Sequence, residues 1–109
     1  MPLTTLHTAS AGFESARQVN VLPAGHKGQR LHGHSFRAKV RAALPATWAR
    51  YPGAQVQTLS DKLEACTSQL DYRLLNELLP SPTDENLARW LRDQLDVPGL
   101  EQVGIQSTL

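Results

Sequence analysis

Two histidines one residue apart, His32-Gly33-His34, are the first feature of this sequence that carries chemistry. Residues two apart on a β-strand point to the same side with Cα atoms ~6.5–7 Å apart, so two neutral imidazoles there can converge on one ion. Gly33 adds no side chain to the opposite face. Two histidines lining a half-polar sheet face give the same pattern, and a motif this short needs a third ligand before it counts as a metal site. Arg37, Lys39 and Arg41 alternate just beyond the pair, as a strand facing nucleic acid would. A solvated sheet face explains them more simply, since no nucleic-acid-binding motif accompanies them.

The elements that must position these groups follow from periodicity. His32, His34, Phe36, Ala38, Val40 and Ala42 share one parity, with Ser35, Arg37, Lys39 and Arg41 on the other, which predicts a strand. Residues 3–20 mix Thr, Ala and Val with polar residues as a half-buried strand does, with a bulge or bend expected at Gly12. Between the two strands Pro23, Gly25 and Gly28 mark a loop or extended connection over residues 21–30. Pro45, Pro52 and Gly53 then break the pattern over residues 44–53, where Trp48 is expected to pack.

The second half changes period. Val56, Leu59, Leu63, Cys66 and Leu70 recur at helical steps, with Asp61, Lys62 and Glu64 facing outward, so the lone cysteine is expected in the core. Leu79-Pro80-Ser81-Pro82 stops whatever precedes it. Thr83 offers an N-cap with Asp84 and Glu85 in the first turn, where the helix dipole favours anions. Leu87, Trp90, Leu91, Gln94 and Leu95 continue the second helix, Pro98 and Gly99 end it, and Val103, Ile105 and Ser107 alternate as a last strand. Two helices on one face of an antiparallel sheet make an α+β domain whose open sheet edges need covering, a reason to expect self-association.

The 109 residues allow one domain spanning 1–109, and a net charge of +1 gives no field marking a nucleic-acid or membrane binder. One cysteine rules out an internal disulfide and fits a reducing compartment. No run approaches the ~20 apolar residues of a membrane span, nor does the N-terminus carry a signal-peptide pattern. The expectation is a soluble cytoplasmic protein.

Phe13-Glu14-Ser15-Ala16, Pro23-Ala24-Gly25-His26-Lys27 and Arg30-Leu31-His32-Gly33-His34-Ser35-Phe36, taken together, closely resemble the start of bacterial 6-carboxytetrahydropterin synthases, within the 6-pyruvoyltetrahydropterin synthase family. Leu70-Asp71-Tyr72-Arg73-Leu74-Leu75-Asn76 is similar to the family's Leu-Asp-His-x-x-Leu-Asn segment, and Pro82-Thr83-Asp84-Glu85-Asn86-Leu87-Ala88 to its Pro-Thr-x-Glu-x-Leu-Ala helix start. The resemblance implies the tunnelling fold, in which two strands, two helices and two further strands per subunit join edge to edge into a barrel with active sites at the interfaces. It implies a zinc ion on three histidines, proton transfer by a cysteine and an Asp-His pair, and a late glutamate that anchors the pterin. It also implies, for the bacterial branch, conversion of dihydroneopterin triphosphate to 6-carboxytetrahydropterin on the route to queuosine.

Carried over position by position, the agreement is partial. His32 and His34 match two zinc ligands, Asp71 matches the relay aspartate, and Thr83 and Glu85 match the substrate-binding helix start. The first zinc ligand falls on Arg17, and a guanidinium has no lone pair to offer a metal. The cysteine falls on Gly28, the relay histidine on Tyr72, whose phenol is a poor base at neutral pH, and the pterin-anchoring glutamate on Ser107. Two imidazoles leave zinc short of a ligand unless His26 or His7 supplies one, and Arg17 is expected to place positive charge near the metal position and oppose a cation there.

Three functions remain open. One is a catalytically degenerate family member serving as a structural or regulatory subunit, either as a homo-oligomer, beside an active homologous domain, or as one half of a tandem protein. A second is an active lyase that has rearranged its acid-base groups around Asp71, Tyr72 and a metal on His32 and His34. A third is a pterin- or purine-binding module without chemistry.

Overall fold

The computed structural model describes residues 5–19, 25 and 31–108 of the chain. The alternating segment after Leu31 forms β2 (His32–Ala42), and the half-polar segment before it forms β1 (His7–Arg17). Val103, Ile105 and Ser107 lie on β3 (Leu100–Ser107), and the three strands make one antiparallel sheet in the order β1-β2-β3. Between β2 and β3 run α1 (Gln55–Ser68), a short 3-10 turn (Leu75–Glu77) and α2 (Asp84–Leu95). Helix α1 packs on β1 and α2 on β3, so both cover one face and the expected α+β arrangement holds.

The covered face carries the odd residues of β1 and the even residues of β2. Ala11, Phe13, Phe36, Ala38 and Val40 are buried there beneath Leu59, Leu63, Leu87, Leu91 and Leu95. The Phe13 and Phe36 rings stack with centroids 4.8 Å apart. Cys66 lies in this core, as its place on the helical stripe predicts. Trp48 and Trp90 pack against the core from its margin.

Four expectations are corrected. The first strand occupies residues 7–17 rather than 3–20 among those described. Gly12 forms no bulge: β1 and β2 pair without interruption from His7 opposite Ala42 to Arg17 opposite His32. Gly12 instead leaves room for the Arg37 guanidinium, whose Nη2 lies 3.2 Å from where a Cβ would sit, and the sheet's irregularity lies between Arg41 and Ala42 against β3. Val56, in the opening turn of α1, is 49% exposed, so the buried stripe starts at Leu59. Helix α2 ends at Asp96, which takes the left-handed conformation (φ 46°), before Pro98 and Gly99 are reached. Gly99 (φ 67°) serves the next turn, where its carbonyl accepts the Ala43 N–H at 2.8 Å and a Cβ would collide with the Ala43 carbonyl oxygen. The expected connection at residues 21–30 lies outside the described residues except for Gly25.

Candidate functional site

Strand register brings the expected site residues to one end of the covered face. Arg17 closes β1 directly opposite His32, Ser15 faces His34, and Ser107 of β3 lies across from Phe36. Pro82 and Asp84, at the start of α2, roof this end of the sheet. Thr83 caps that helix by accepting the Asn86 N–H at 3.2 Å, which fixes where Asp84 stands.

Arg17 is the centre of the cluster and is only 8% exposed. Its Nη1 donates to the Pro82 carbonyl at 3.0 Å and to Asp84 Oδ1 at 2.6 Å, while Nη2 donates to Ser107 Oγ at 3.3 Å. Ser107 in turn donates to Asp84 Oδ2 at 3.0 Å, closing a ring of contacts through β1, β3 and α2. The guanidinium carbon lies 5.0 Å from the centre of the Phe36 ring. Sequence alone marks Arg17 as a misfit in a metal position. It does not show that Asp84 and Ser107 supply its counter-charge and its hydrogen bond.

His32 and His34 lie side by side, ring centroids 4.4 Å apart, with His34 also edge-on to Phe36. The expectation that the pair shares one face is met. Burial, reinforced by the positive charge of Arg17, holds the His34 imidazole below its ordinary value of 6.5, against a hydrogen bond to the Thr108 backbone that acts the other way. Its Nε2 is buried without a hydrogen-bond partner. Among the described residues no group of three or more His, Cys, Asp or Glu side chains converges as a metal site would. His7 starts β1, ten residues from Arg17 and thus about 33 Å along an extended strand, so it lies far from the pair. His26 and Gly28 fall outside the described residues.

Asp71 and Tyr72 sit in a strap that runs beside the end of β1. Asp71 Oδ1 accepts the Glu14 N–H at 2.8 Å, and the Tyr72 N–H donates to the Glu14 carbonyl. Ser15 Oγ donates to the Leu70 carbonyl, the Ala16 N–H reaches the Arg73 carbonyl at 2.9 Å, and Asn76 pairs with both backbone groups of Gln18. Tyr72 has φ 52° and is 85% exposed. Most of the Leu-Asp-Tyr-Arg-Leu-Leu-Asn segment therefore hydrogen-bonds the backbone or a side chain of β1 and its extension. An open cleft lined by Glu14, Gly33, His34, Tyr72, Arg73 and Thr108 lies between strap and sheet. Glu85 is exposed and lies 4.0 Å from Arg89 one turn along α2.

A family model described as 6-pyruvoyl tetrahydropterin synthase matches residues 7–107, a span that takes in the paired strands with His-x-His at the start of β2, the backbone strap and the capped helix. The chain belongs to this family. It is 36% identical to the 6-carboxy-5,6,7,8-tetrahydropterin synthase of Synechocystis sp., an alignment covering 88% of this chain and 81% of that protein. It is 26% identical to the dihydroneopterin monophosphate aldolase of Pyrococcus furiosus, over 82% of this chain and 75% of the other. The solved structure of Caenorhabditis elegans 6-pyruvoyl tetrahydropterin synthase superimposes with a TM-score of 0.73 at 20% identity, covering 95% of this chain and 89% of that one. The tunnelling-fold expectation for the subunit is thereby met in its first two strands, its two helices and one strand after them; the second of the two further strands is not present among the described residues.

Proposed function

We propose that this chain is a catalytically degenerate member of the 6-pyruvoyl tetrahydropterin synthase family that acts as a structural or regulatory subunit, with copies of itself or with an active homologous domain. The observation that carries this is the ring of Arg17, Asp84 and Ser107 around a buried guanidinium, at the position where the family pattern places its first metal ligand. A guanidinium repels a cation and donates no lone pair, and here it is held in place by three hydrogen bonds, one of them to a carboxylate. In this proposal the His32–His34 pair binds no zinc and Asp71 works as a clamp on β1. The relatives' pterin chemistry then belongs to partners that keep the thiol and the third histidine.

The isolated chain, offered dihydroneopterin triphosphate or 6-pyruvoyltetrahydropterin with zinc present, should give no 6-carboxytetrahydropterin or tetrahydropterin product above a no-protein control. Zinc measured per purified chain should be far below stoichiometric and should rise in Arg17→His. Turnover that His32→Ala abolishes would overturn the proposal in favour of a rearranged lyase. Stoichiometric zinc in the unaltered chain would overturn the metal-free site.

A further inference from the structure

The face of the sheet that the helices leave bare has a charge pattern unrelated to the histidine end. Strand β2 presents Arg37, Lys39 and Arg41 there in one column, successive members ~6.5–7 Å apart. Their cross-strand neighbours are small or neutral, with Gly12 beside Arg37 and Ser10 beside Lys39 on β1, and Gly104 beside Lys39 on β3. Two of the cations are steered by neutral groups: Arg37 Nη1 donates to Ser10 Oγ at 3.2 Å and Arg41 Nη2 to Gln102 Oε1 at 2.7 Å. Among the described residues none of the three takes part in an ion pair. A depression of about 840 Å³ lies over Lys39 and Arg41, floored by the Gly104 backbone where nothing approaches within 4 Å of a Cβ position. Its one carboxylate is Glu101, and Glu14, higher on the same face, accepts from Ser35 Oγ at 2.7 Å.

We propose that this face binds a short linear phosphate anion, its phosphates lying along the β2 column and Lys39 at the centre of the contact. Three cations in a line with no intervening acid complement a chain of negative charges. The glycines on either side let the anion approach the sheet. Among the described residues no aromatic side chain lines the depression over Lys39 and Arg41 to stack a base, so the phosphate chain itself is the recognised part and nucleic acid lacks the platform it uses on protein surfaces.

Titration calorimetry of the intact chain with inorganic tripolyphosphate at low ionic strength is the test. Binding is expected, weakening as salt is raised. Lys39→Gln should weaken it roughly three- to tenfold, the range of one lost hydrogen bond on a solvent-exposed face. Arg41→Gln is the second variant, and circular dichroism confirms that both remain folded. Absence of binding, or binding that neither variant alters, overturns the proposal. Tighter binding of a single-stranded oligonucleotide of equal charge also overturns it, by assigning the face to nucleic acid. The readout involves neither pterin nor zinc, so its failure and that of the degenerate-subunit proposal are separable.

Discussion

Arg17 carries the largest single-residue consequence. Replacing it with Met removes a buried cation and leaves Asp84, whose side chain is 40% exposed, without its partner. Because that carboxylate keeps access to water, the expected loss is about 1–3 kcal/mol rather than that of a fully buried pair, read as a shift in denaturation midpoint. Adding Asp84→Asn to Arg17→Met should recover part of the loss in a double-mutant cycle. Cys66 gives a pH-dependent prediction. Burial pushes its thiol above the ordinary value of 9.0, against a smaller opposing effect of Lys62. The native state therefore prefers the protonated thiol, and its contribution to stability is full below about pH 9 and lost as pH rises through the higher folded-state value. Unfolding midpoints should fall over that alkaline range in the parent and fall less in Cys66→Ala. The misfit at position 17 is legible in the sequence because a guanidinium cannot ligate a metal. Its partners are not, because they lie 67 and 90 residues further along the chain and only the fold brings them near.

At the scale of elements, Thr83 and the strap beside β1 do the positioning. Thr83→Ala removes the acceptor for the Asn86 N–H and should cost about 1 kcal/mol while releasing the turn that holds Asp84. Asn76→Ala breaks two hydrogen bonds to Gln18, of 2.8 and 2.7 Å, and should cost about 1–2 kcal/mol, with faster hydrogen exchange at residues 14–18 as the local readout. Strand β2 is legible in the sequence to its last residue, because period-two alternation leaves no other face for Phe36, Ala38 and Val40. Helix α2 is equally legible at its capped start. Its end is not, because Asp96 adopts a left-handed conformation that glycine takes more readily, and Pro98-Gly99 draws attention two residues too late. The strap escapes pattern reading for a similar reason: its bonds go to backbone groups of another element, and periodicity carries no trace of them.

At the scale of the molecule, the sheet has three strands among the described residues and its outer edges are unequal. Residues 14–18 of the β1 edge are occupied by the strap, whereas β3 is the opposite outer strand of the sheet. Unsatisfied strand edges recruit further strands. Light scattering should therefore give a mass at least twice that of the 12.0 kDa chain, and Ile105→Pro should reduce association by removing a strand N–H and bending the edge. Among the described residues no helix is long and apolar enough to cross a membrane.

The unbroken pairing of β1 with β2 makes the chain intolerant of a length change. Deleting Gly12 obliges one half of β1 to turn over against its neighbour. If the first half turns, Ala9 and Ala11 go to water and Ser10 enters the greasy interior. If the second half turns, Phe13 lands among the cations and Arg17 swings away from its carboxylate. Substitutions along this strand can be absorbed one by one, but a single missing codon would scramble both surfaces of the protein together.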